Sequence, residues 1–502
     1  MRTGRATEPG IPSPARGSIG GLRAPFLVLY RMILAAIAGL LPLTPQDAWA
    51  APALDGAALR WPWAIPFIGI LITIATGPLL FPKLWHNNYG KLAFIWSTLT
   101  VAPLAAIYGT PIAIAAFVHV MLADFLSFIV LLFTLYVVAG GILVTGNLRG
   151  TPLVNTVILV LGTSIASVVG TTGAAMILLR PLMRANATRL HNAHVVIFFI
   201  FLVGNIGGAL TPLGDPPLFV GFLHGVDFFW PALNLWRQTA FVGGLVLAVF
   251  LALDLWHYRK DRLVTTVGES LPPLDLRVRG RINLLLMAGV VGAILLSAAW
   301  QPGIRFDIYG TMLDLQNAVR DGALLALALL SLVLTPNEHR EENGFSWEPI
   351  VEVAILFAGI FTCIIPVIAM LHAGERGAFA WLLAAVTAQD GSPHVVAYFW
   401  LTGLLSAFLD NAPTYLVFFE LAGGDARELM GPLAGTLAAI SLGAVLMGAL
   451  TYLGNAPNLM VYAIAVERGV KMPSFFGYML WSGLVMLPVL ALTTVVFVAP
   501  LW

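Results

Sequence analysis

Two similar segments place polar residues that could do chemistry inside long apolar runs of the chain. The first, "GALTPLGDPP", begins at Gly208, and the second, "GALTYLGNAP", begins at Gly448. Each sets a threonine and then an aspartate or asparagine among glycines and prolines, which let a helix turn or stop. Carboxylate, amide, hydroxyl and carbonyl oxygens are the ligands that hard cations such as sodium prefer. The pattern therefore predicts two breaks in membrane helices, each lined with oxygen atoms.

A second pair of motifs precedes these breaks by the same number of residues in each half. The segment "SVVGTTGAAMILL" (167–179) precedes the first break, and "AFLDNAPTYLVFF" (407–419) precedes the second. We interpret both as the tips of re-entrant helical hairpins. A constant offset between two separate pairs of motifs indicates an internal repeat.

Composition gives the broad class of protein. The chain of 502 residues is 59% hydrophobic and only 10% charged, against about 25% charged in ordinary soluble domains. This predicts an all-α polytopic membrane protein, with the lipid bilayer as its surroundings and no nucleic-acid partner, since the few charges fall in short loops. The single Cys363 excludes an internal disulfide and a cysteine-based metal cluster.

The predicted organisation has two halves. Residues 1–50 have the basic flank, apolar core and Ala-x-Ala end of a signal peptide, although a leader of no consequence is the alternative. The first transmembrane half is predicted at 51–262, with a hairpin at 153–180 and a broken helix at 193–223. A cytoplasmic linker follows at 263–281. The second half is predicted at 282–502, with a hairpin at 395–420 and a broken helix at 433–465.

Charge asymmetry predicts the orientation. A cleaved signal leaves the mature N-terminus outside, and threading from there puts most lysines and arginines in the cytoplasm, as the positive-inside rule requires. The C-terminus then also lies outside a bacterial-type inner membrane. The first hairpin has arginine-rich flanks and enters from the cytoplasm, whereas the second enters from outside. The halves are therefore predicted to be inverted repeats, with substrate near the bilayer midplane.

Several candidate residues also have a purely structural interpretation. Asp215 before Pro216, and Asp410 before a nearby proline, are typical of helix N-caps. Thr171 and Thr172 could be packing residues in a tight helical turn. We expect three other titratable residues to be peripheral, with Asp124 and Glu352 solvated near span ends and His372 in a loop.

The paired hairpins, the paired "GALTxLG(D/N)xP" breaks and the "LDNAP" tip resemble the ion transporter superfamily, in particular its citrate-transporter-like and NhaD-type sodium/proton antiporter branch. The resemblance covers nearly all of the mature chain and implies a scaffold part and a transport part, often in a homodimer, with alternating access. The residues that it implies for binding are Thr171, Thr172, Thr211, Gly214, Asp215, Asp410, Asn411, Thr451, Gly454, Asn455 and Pro457. The chain departs from the pattern at Gly170-Thr171, where members often carry a second Asp-Asn tip, and it lacks the Ser-Asn-Thr signature of dicarboxylate carriers.

Charge separates the functions that remain. A cation/proton antiporter needs titratable carboxylates, and Asp215 and Asp410 supply them as proton-coupling residues. Burial favours the neutral form of a carboxyl group and a bound cation favours the charged form, so the two ions would compete. We predict a sodium site formed by Asp215, Asn411 and Asn455, with Asn458 as a further oxygen donor in the second break.

Two other functions stay open. A citrate, dicarboxylate or arsenite-type carrier could use the hydroxyl and amide groups, and a non-transporting membrane protein could share the fold. No "GxxxxGK[ST]" phosphate loop occurs in the sequence, which disfavours an ATP-driven pump. We expect no enzyme activity and no cofactor beyond sodium ions and protons.

Overall fold

The computed structural model describes residues 54–262 and 276–501. The predicted signal peptide and most of the predicted linker lie outside these residues. In the first half, the helices are α1 (Ile65–Leu80), α2 (Pro82–Tyr108), α3 (Thr110–His119), α4 (Leu126–Gly140), α5 (Pro152–Val169), α6 (Thr171–Ala185), α7 (Ala193–Leu202), α8 (Pro216–Leu223) and α9 (Trp230–Arg262). A π-helical segment, Val120–Phe125, joins α3 to α4 without a break.

The second half is also helical. Its helices are α10 (Ile282–Ala299), α11 (Leu315–Leu334), α12 (Asn337–Glu342), α13 (Glu348–His372), α14 (Ala380–Ala385), α15 (Val395–Phe408), α16 (Asn411–Leu421), α17 (Ala426–Met430), α18 (Ala434–Met447), α19 (Ala456–Glu467) and α20 (Phe475–Thr493). Shorter 3₁₀ and π segments lie at Trp61–Ala64, Ile206–Gly208, Gly374–Arg376, Gly448–Leu450, Thr494–Val498 and Ala499–Leu501.

Two small antiparallel strand pairs complete the fold. Strands β1 (Leu143–Gly146) and β2 (Leu276–Arg279) pair with each other, as do β3 (Arg305–Ile308) and β4 (Thr311–Asp314). Strand β2 falls at the end of the region predicted as a linker. The pairing of β1 with β2 therefore holds the end of this region against the first half of the chain.

Within the described residues, nine helices or joined helices are long and apolar enough to cross a membrane. The prediction of an all-α polytopic membrane protein is confirmed. Most of these helices expose apolar side chains on their outer faces, including Leu285, Val333 and Leu484. Exposure of large apolar side chains to water is unfavourable, whereas their exposure to lipid is not. These outer faces therefore fit a bilayer.

The helices pack as two bundles. The framework bundle contains α1–α4, α10, α11 and α13, in which α13 packs on α1 and α2, and α11 packs on α4 and α10. The hairpin bundle contains α5–α9, α15, α16 and α18–α20, in which α15 packs on α18, and α8 packs on α16. The two bundles meet where α4 contacts α6 and where α13 contacts α16. A site between the hairpin tips and the framework bundle would therefore lie next to α4 and α13.

Both predicted breaks are non-helical in the structure. The first lies between α7 and α8 and the second between α18 and α19, and each keeps only one short 3₁₀ turn. The Thr211 hydroxyl donates to the Ser167 carbonyl, and the Thr451 hydroxyl donates in the same way to the Ala407 carbonyl at 2.5 Å. Each break is thus tied to the hairpin of its own half by an equivalent hydrogen bond.

A buried charged cluster fixes the first hairpin at the end opposite its tip. Asp254 on α9 is fully buried and contacts Arg189 at 2.5 Å, His194 at 2.9 Å and Asn155 at 2.9 Å. Asn155 in turn donates to Asn186, which follows α6. These contacts join α5, α7 and α9 and the loop after α6 at one carboxylate. Sequence analysis missed this cluster.

Replacing Asp254 with alanine should destabilise the protein strongly. The change leaves the buried Arg189 without its closest partner, and breaking a buried ion pair in this way costs on the order of 3–5 kcal/mol. Thermal unfolding of the purified protein in detergent measures the loss. The matched control is Glu342→Ala, which removes an exposed pair with Arg279 and should change stability by less than about 1 kcal/mol. Equal losses in the two variants would contradict the structural role of Asp254.

Candidate functional site

A small cavity lies between the hairpin bundle and the framework bundle. Its volume is about 90 Å³. The framework bundle contributes apolar side chains, among them Leu131 and Leu135 from α4 and Val353 and Phe357 from α13. The hairpin bundle contributes the polar wall, which includes Thr171, Thr172, Asp215, Asp410, Asn455 and the backbone around Gly214 and Pro457.

Asp215 is the centre of this polar wall. It is 1% exposed and accepts hydrogen bonds from Asn411 at 2.6 Å, from Asn455 at 3.0 Å and from the Thr171 hydroxyl at 3.3 Å. The three donors come from the second hairpin, the second break and the first hairpin. One carboxylate therefore joins both hairpin tips and both breaks.

The two aspartates differ in how they relate to the helices that follow them. Asp215 precedes Pro216 in extended conformation, but its side chain makes no capping hydrogen bond to α8. Asp410 does cap its helix, because its carboxylate accepts from the backbone N–H of Ala412 at 3.2 Å. The capping interpretation therefore holds for Asp410 and not for Asp215. Asp410 lines the cavity nonetheless, so both carboxyl groups belong to the same wall.

Asn411 presents an acceptor that is not used within the described residues. Its side chain is fully buried, and its Nδ2 donates to Asp215, whereas its Oδ1 has no hydrogen-bond partner there. An ionised carboxylate only accepts hydrogen bonds, so it must face the nitrogen of the amide and not the oxygen. A buried polar atom without a partner is costly. The Oδ1 atom is therefore an unsatisfied acceptor next to Asp215, on a side chain outside the cavity lining.

The asparagines of the second break belong to a network that reaches the first break. Asn455 also donates to the Gly204 carbonyl at 3.2 Å, and Asn458 donates to the Gly448 carbonyl at 2.9 Å. Asn205 completes this network by donating to Asn458 Oδ1 at 2.8 Å. Sequence analysis missed Asn205, which has no counterpart in the second copy. Asn205 could have been noticed in the sequence because it is a polar residue within the apolar run before the first break.

The other predicted site residues are placed around the cavity and not in it. The hydroxyls of Thr211 and Thr451 are used by the backbone ties described above, and Thr451 also accepts from the N–H of Gly454 at 3.0 Å. Asn458 lies behind Asn455 in the network. The structure thus brings Thr171, Thr172, Asp215, Asp410, Asn455 and Pro457 together at the cavity wall, with Asn411 directly behind Asp215.

The glycines permit the close approach of backbone segments on which this arrangement depends. A Cβ atom on Gly214 would lie 2.8 Å from the Cα of Gly208 and closer still to its carbonyl oxygen. A Cβ atom on Gly454 would lie 2.7 Å from the Ser406 oxygen and 2.9 Å from the Gly448 oxygen. Real Cβ atoms do not approach a backbone so closely, so each position excludes a side chain.

Two expectations about peripheral residues are wrong. Asp124 is not solvated: it lies in the π-helical segment between α3 and α4 and is 8% exposed. His372 is not in a loop, since it is the last residue of α13, and its Nε2 lies 2.6 Å from Glu420. Glu352 does lie near the start of α13, but it is half-buried and accepts from the Trp85 indole at 2.7 Å. Hydropathy marks where a span ends but does not report what packs against it.

The charge of the cavity wall has one sign. Asp215 and Asp410 are its only ionisable groups apart from a tyrosine, and none of the described lining residues is lysine, arginine or histidine. In the described part of the chain, no group of three or more His, Cys, Asp and Glu side chains is spaced to hold a metal ion. The wall could instead offer one or two carboxylates together with neutral oxygen atoms, which is a donor set for a weakly bound hard cation.

These features define a polytopic membrane transporter, in which a buried polar site lies between discontinuous helices. The chain belongs to the family described as "Putative citrate transport", whose sequence pattern matches residues 56–498.

The chain is also similar to two mycobacterial proteins. An uncharacterized transporter of Mycobacterium tuberculosis is 26% identical over 346 residues, which cover 66% of this chain and 73% of that protein. An uncharacterized transporter of Mycobacterium bovis matches with the same identity and coverage. The names of both relatives support a transporter and not an enzyme.

Proposed function

We propose that the protein exchanges sodium, or another small cation, for protons by alternating access. The observation that carries this proposal is the negatively charged cavity wall, in which Asp215 and Asp410 stand without a cationic side chain among the described lining residues. A carboxylate near the membrane centre is costly unless a proton or a cation neutralises it. Either ion would do so here, and both cannot occupy the same oxygens at once.

The geometry around Asp215 supports a cation ligand. Its carboxylate is held in place by donors from three other segments, so little reorganisation would be needed when an ion binds. The coordination would be completed by neutral oxygen atoms of the cavity wall, such as the Thr171 and Thr172 hydroxyls. The cavity of about 90 Å³ is also small beside the roughly 300–1,000 Å³ of pockets that hold organic ligands. Both features favour an ion over an organic acid.

The exchange cycle follows from competition at these oxygens. In one orientation of the hairpin bundle, a cation binds and a proton leaves Asp215 or Asp410. In the other orientation, a proton returns and displaces the cation. Neutralised carboxylates are cheaper to move through the low-dielectric interior than charged ones, so each loaded form moves more easily than the empty form. This preference couples the two fluxes.

A citrate or other anion carrier is the second candidate. The family description favours it, and Thr171, Asn411 and Asn455 are neutral groups that could bind a carboxylate if bound sodium offset its charge. Purified protein in liposomes separates the two functions. Sodium-driven proton movement, followed with an internal pH dye, supports the antiporter, and uptake of labelled citrate that depends on sodium without proton exchange supports the carrier.

We further propose that the halves are inverted repeats in a bacterial inner membrane, with both termini of the mature protein outside. A cysteine in place of Thr188, which follows the first hairpin, should then be labelled only from the cytoplasm. A cysteine in place of Glu428, which follows the second hairpin, should be labelled only from outside. Both residues are exposed. Each is changed to cysteine in a Cys363→Ser background and labelled with a membrane-impermeant maleimide in intact cells and in inverted vesicles. Labelling of both positions from one side would contradict the inversion.

A further inference from the structure

Four titratable side chains meet at the ends of α8 and α16 that lie away from the cavity. They are Asp124, His224, His372 and Glu420, which we call the end cluster. His224 directly follows α8, and Glu420 is in the last turn of α16. Both helices begin at the site, next to Asp215 and Asp410. At 1.5 Å per residue, the cluster lies about 12–15 Å along these helices from the site.

The end cluster joins the two bundles. Asp124 and His372 belong to the framework bundle, whereas His224 and Glu420 belong to the hairpin bundle. His372 Nε2 lies 2.6 Å from Glu420 Oε2, and His224 Nε2 lies 3.7 Å from Glu420 Oε1 and 3.8 Å from Asp124 Oδ1. Each bundle thus supplies one carboxylate and one histidine, so the pairs cross the interface in both directions.

The orientation of the His224 ring is fixed by its backbone contact. Its Nδ1 lies 2.9 Å from the Val220 carbonyl, which can only accept, so Nδ1 carries a hydrogen atom. Nε2 is therefore the ring nitrogen that faces the two carboxylates. Asp124 and Glu420 are 8% and 7% exposed. The His372 side chain is 57% exposed and gives the cluster a route to solvent.

Two further sets of charged groups lie near the cluster. His119 on α3 is a charged neighbour of Asp124, as are His224 and Glu420. The Arg320–Asp321 pair of α11 reaches Ser127, one turn beyond Asp124, but its charges are paired with each other at 2.9 Å. When the histidines are neutral, two largely buried carboxylates therefore face each other across the interface. When the histidines are protonated, positive and negative charges alternate.

We propose that the end cluster is a proton-binding site that latches the hairpin bundle to the framework bundle when its histidines are protonated. Loss of these protons leaves like charges at the interface and favours separation of the hairpin bundle from the framework bundle. The proposal rests on alternating access as the proposed function, since a latch has meaning only if the bundles move. It does not depend on which ion is transported. Histidine is suited to the role because it titrates near neutral pH.

Disulfide trapping across the bundle interface measures the latch. A Cβ atom on Gly173 of α6 would lie 3.0 Å from the Cβ atom of Ala139 on α4, so Ala139→Cys with Gly173→Cys reports the approach of the two bundles. The control pair is Ala93→Cys with Gly359→Cys, whose Cβ atoms would lie 3.1 Å apart within the framework bundle. Both pairs are placed in a Cys363→Ser background, in proteoliposomes without sodium or citrate. The ratio of initial trapping rates cancels the pH dependence of thiol chemistry.

The latch predicts that this ratio falls about threefold or more as the pH is raised from about 5.5 to about 8.5, because histidine changes charge near neutral pH. Glu420→Gln and His224→Gln should each remove the pH dependence, whereas Glu428→Gln, an exposed acid outside the cluster, should keep it. Normal trapping of the control pair shows that a variant is folded. If Glu420→Gln or His224→Gln is not folded, His372→Gln, which changes an exposed member of the cluster, is tested in its place. A ratio that does not change with pH in the unaltered cluster would overturn the latch and leave sodium/proton exchange untouched. A failure of exchange with the pH dependence intact would overturn only the proposed function.

Discussion

Asp215→Asn should abolish sodium-dependent proton movement in proteoliposomes, with a fall of about 100-fold or more, to the rate of protein-free vesicles. The variant keeps the size of the side chain but removes both its charge and its exchangeable proton. It also leaves one carbonyl oxygen where Thr171, Asn411 and Asn455 now donate to two carboxylate oxygens. Exchange needs a group that holds either a proton or a cation, and an amide holds neither in this way.

A matched control separates this loss from general damage. Asp307→Asn changes an exposed aspartate in β3 whose carboxylate accepts from the N–H of Gly310 in the turn that follows. This variant should exchange at the unaltered rate. Asp410→Asn should retain its helix cap, because an amide oxygen can still accept from Ala412. It should therefore reduce exchange less than Asp215→Asn. Exchange by Asp215→Asn at the rate of the Asp307→Asn control would contradict the cation site.

The same competition fixes the sign of the pH dependence. As the pH falls, more Asp215 and Asp410 side chains carry protons, and fewer carboxylates are available to sodium. The sodium concentration that gives half-maximal exchange should therefore rise as the pH is lowered on the side where sodium binds. A titration of exchange against sodium at several pH values measures this shift. An anion carrier without titrating carboxylates would not show it.

The elements around the site could be predicted from the sequence because their signals are local. Glycine and proline stop a helix wherever they occur, so the two breaks could be located from the repeated motif alone. The position of Asp215 beside Asn411 and Asn455 could be expected once the motifs were interpreted as facing repeats. The distances and the unpaired Asn411 oxygen could not, because they depend on how four distant segments pack.

Residue type alone also did not distinguish side chains that contact Asp215 from side chains that hydrogen-bond the backbone. Thr171 and Thr211 are both threonines in glycine-containing motifs, yet Thr171 donates to Asp215, whereas Thr211 donates to a backbone carbonyl. Asp254 was not predicted as part of a cluster, because its partners Arg189 and Asn155 are distant in sequence. Asp124 was expected in solvent because it lies near the end of a predicted span. Its neighbours His224 and Glu420 come close only in the folded protein.

Gly214→Leu and Gly454→Leu should each reduce transport by about 100-fold while the protein still inserts into the membrane. A leucine at Gly214 would force its backbone away from Gly208, and one at Gly454 would do the same to Ser406 and Gly448. Either shift would displace the residue that follows it, which is Asp215 in the first break and Asn455 in the second. A misplacement of about 1 Å in a site that depends on geometry is enough for an effect of this size.

Gly244→Leu is the matched control for these two variants. Gly244 lies within α9, and a Cβ atom there would meet nothing within 4 Å, so the protein should transport at the unaltered rate. Size-exclusion chromatography in detergent shows whether each variant is inserted and folded, and proteoliposome exchange measures its activity. Alanine at Gly214 should give an intermediate loss, because its single methyl group already overlaps the Gly208 backbone. Normal transport by both leucine variants would mean that the breaks are structural kinks and that the close backbone approach does not position the site.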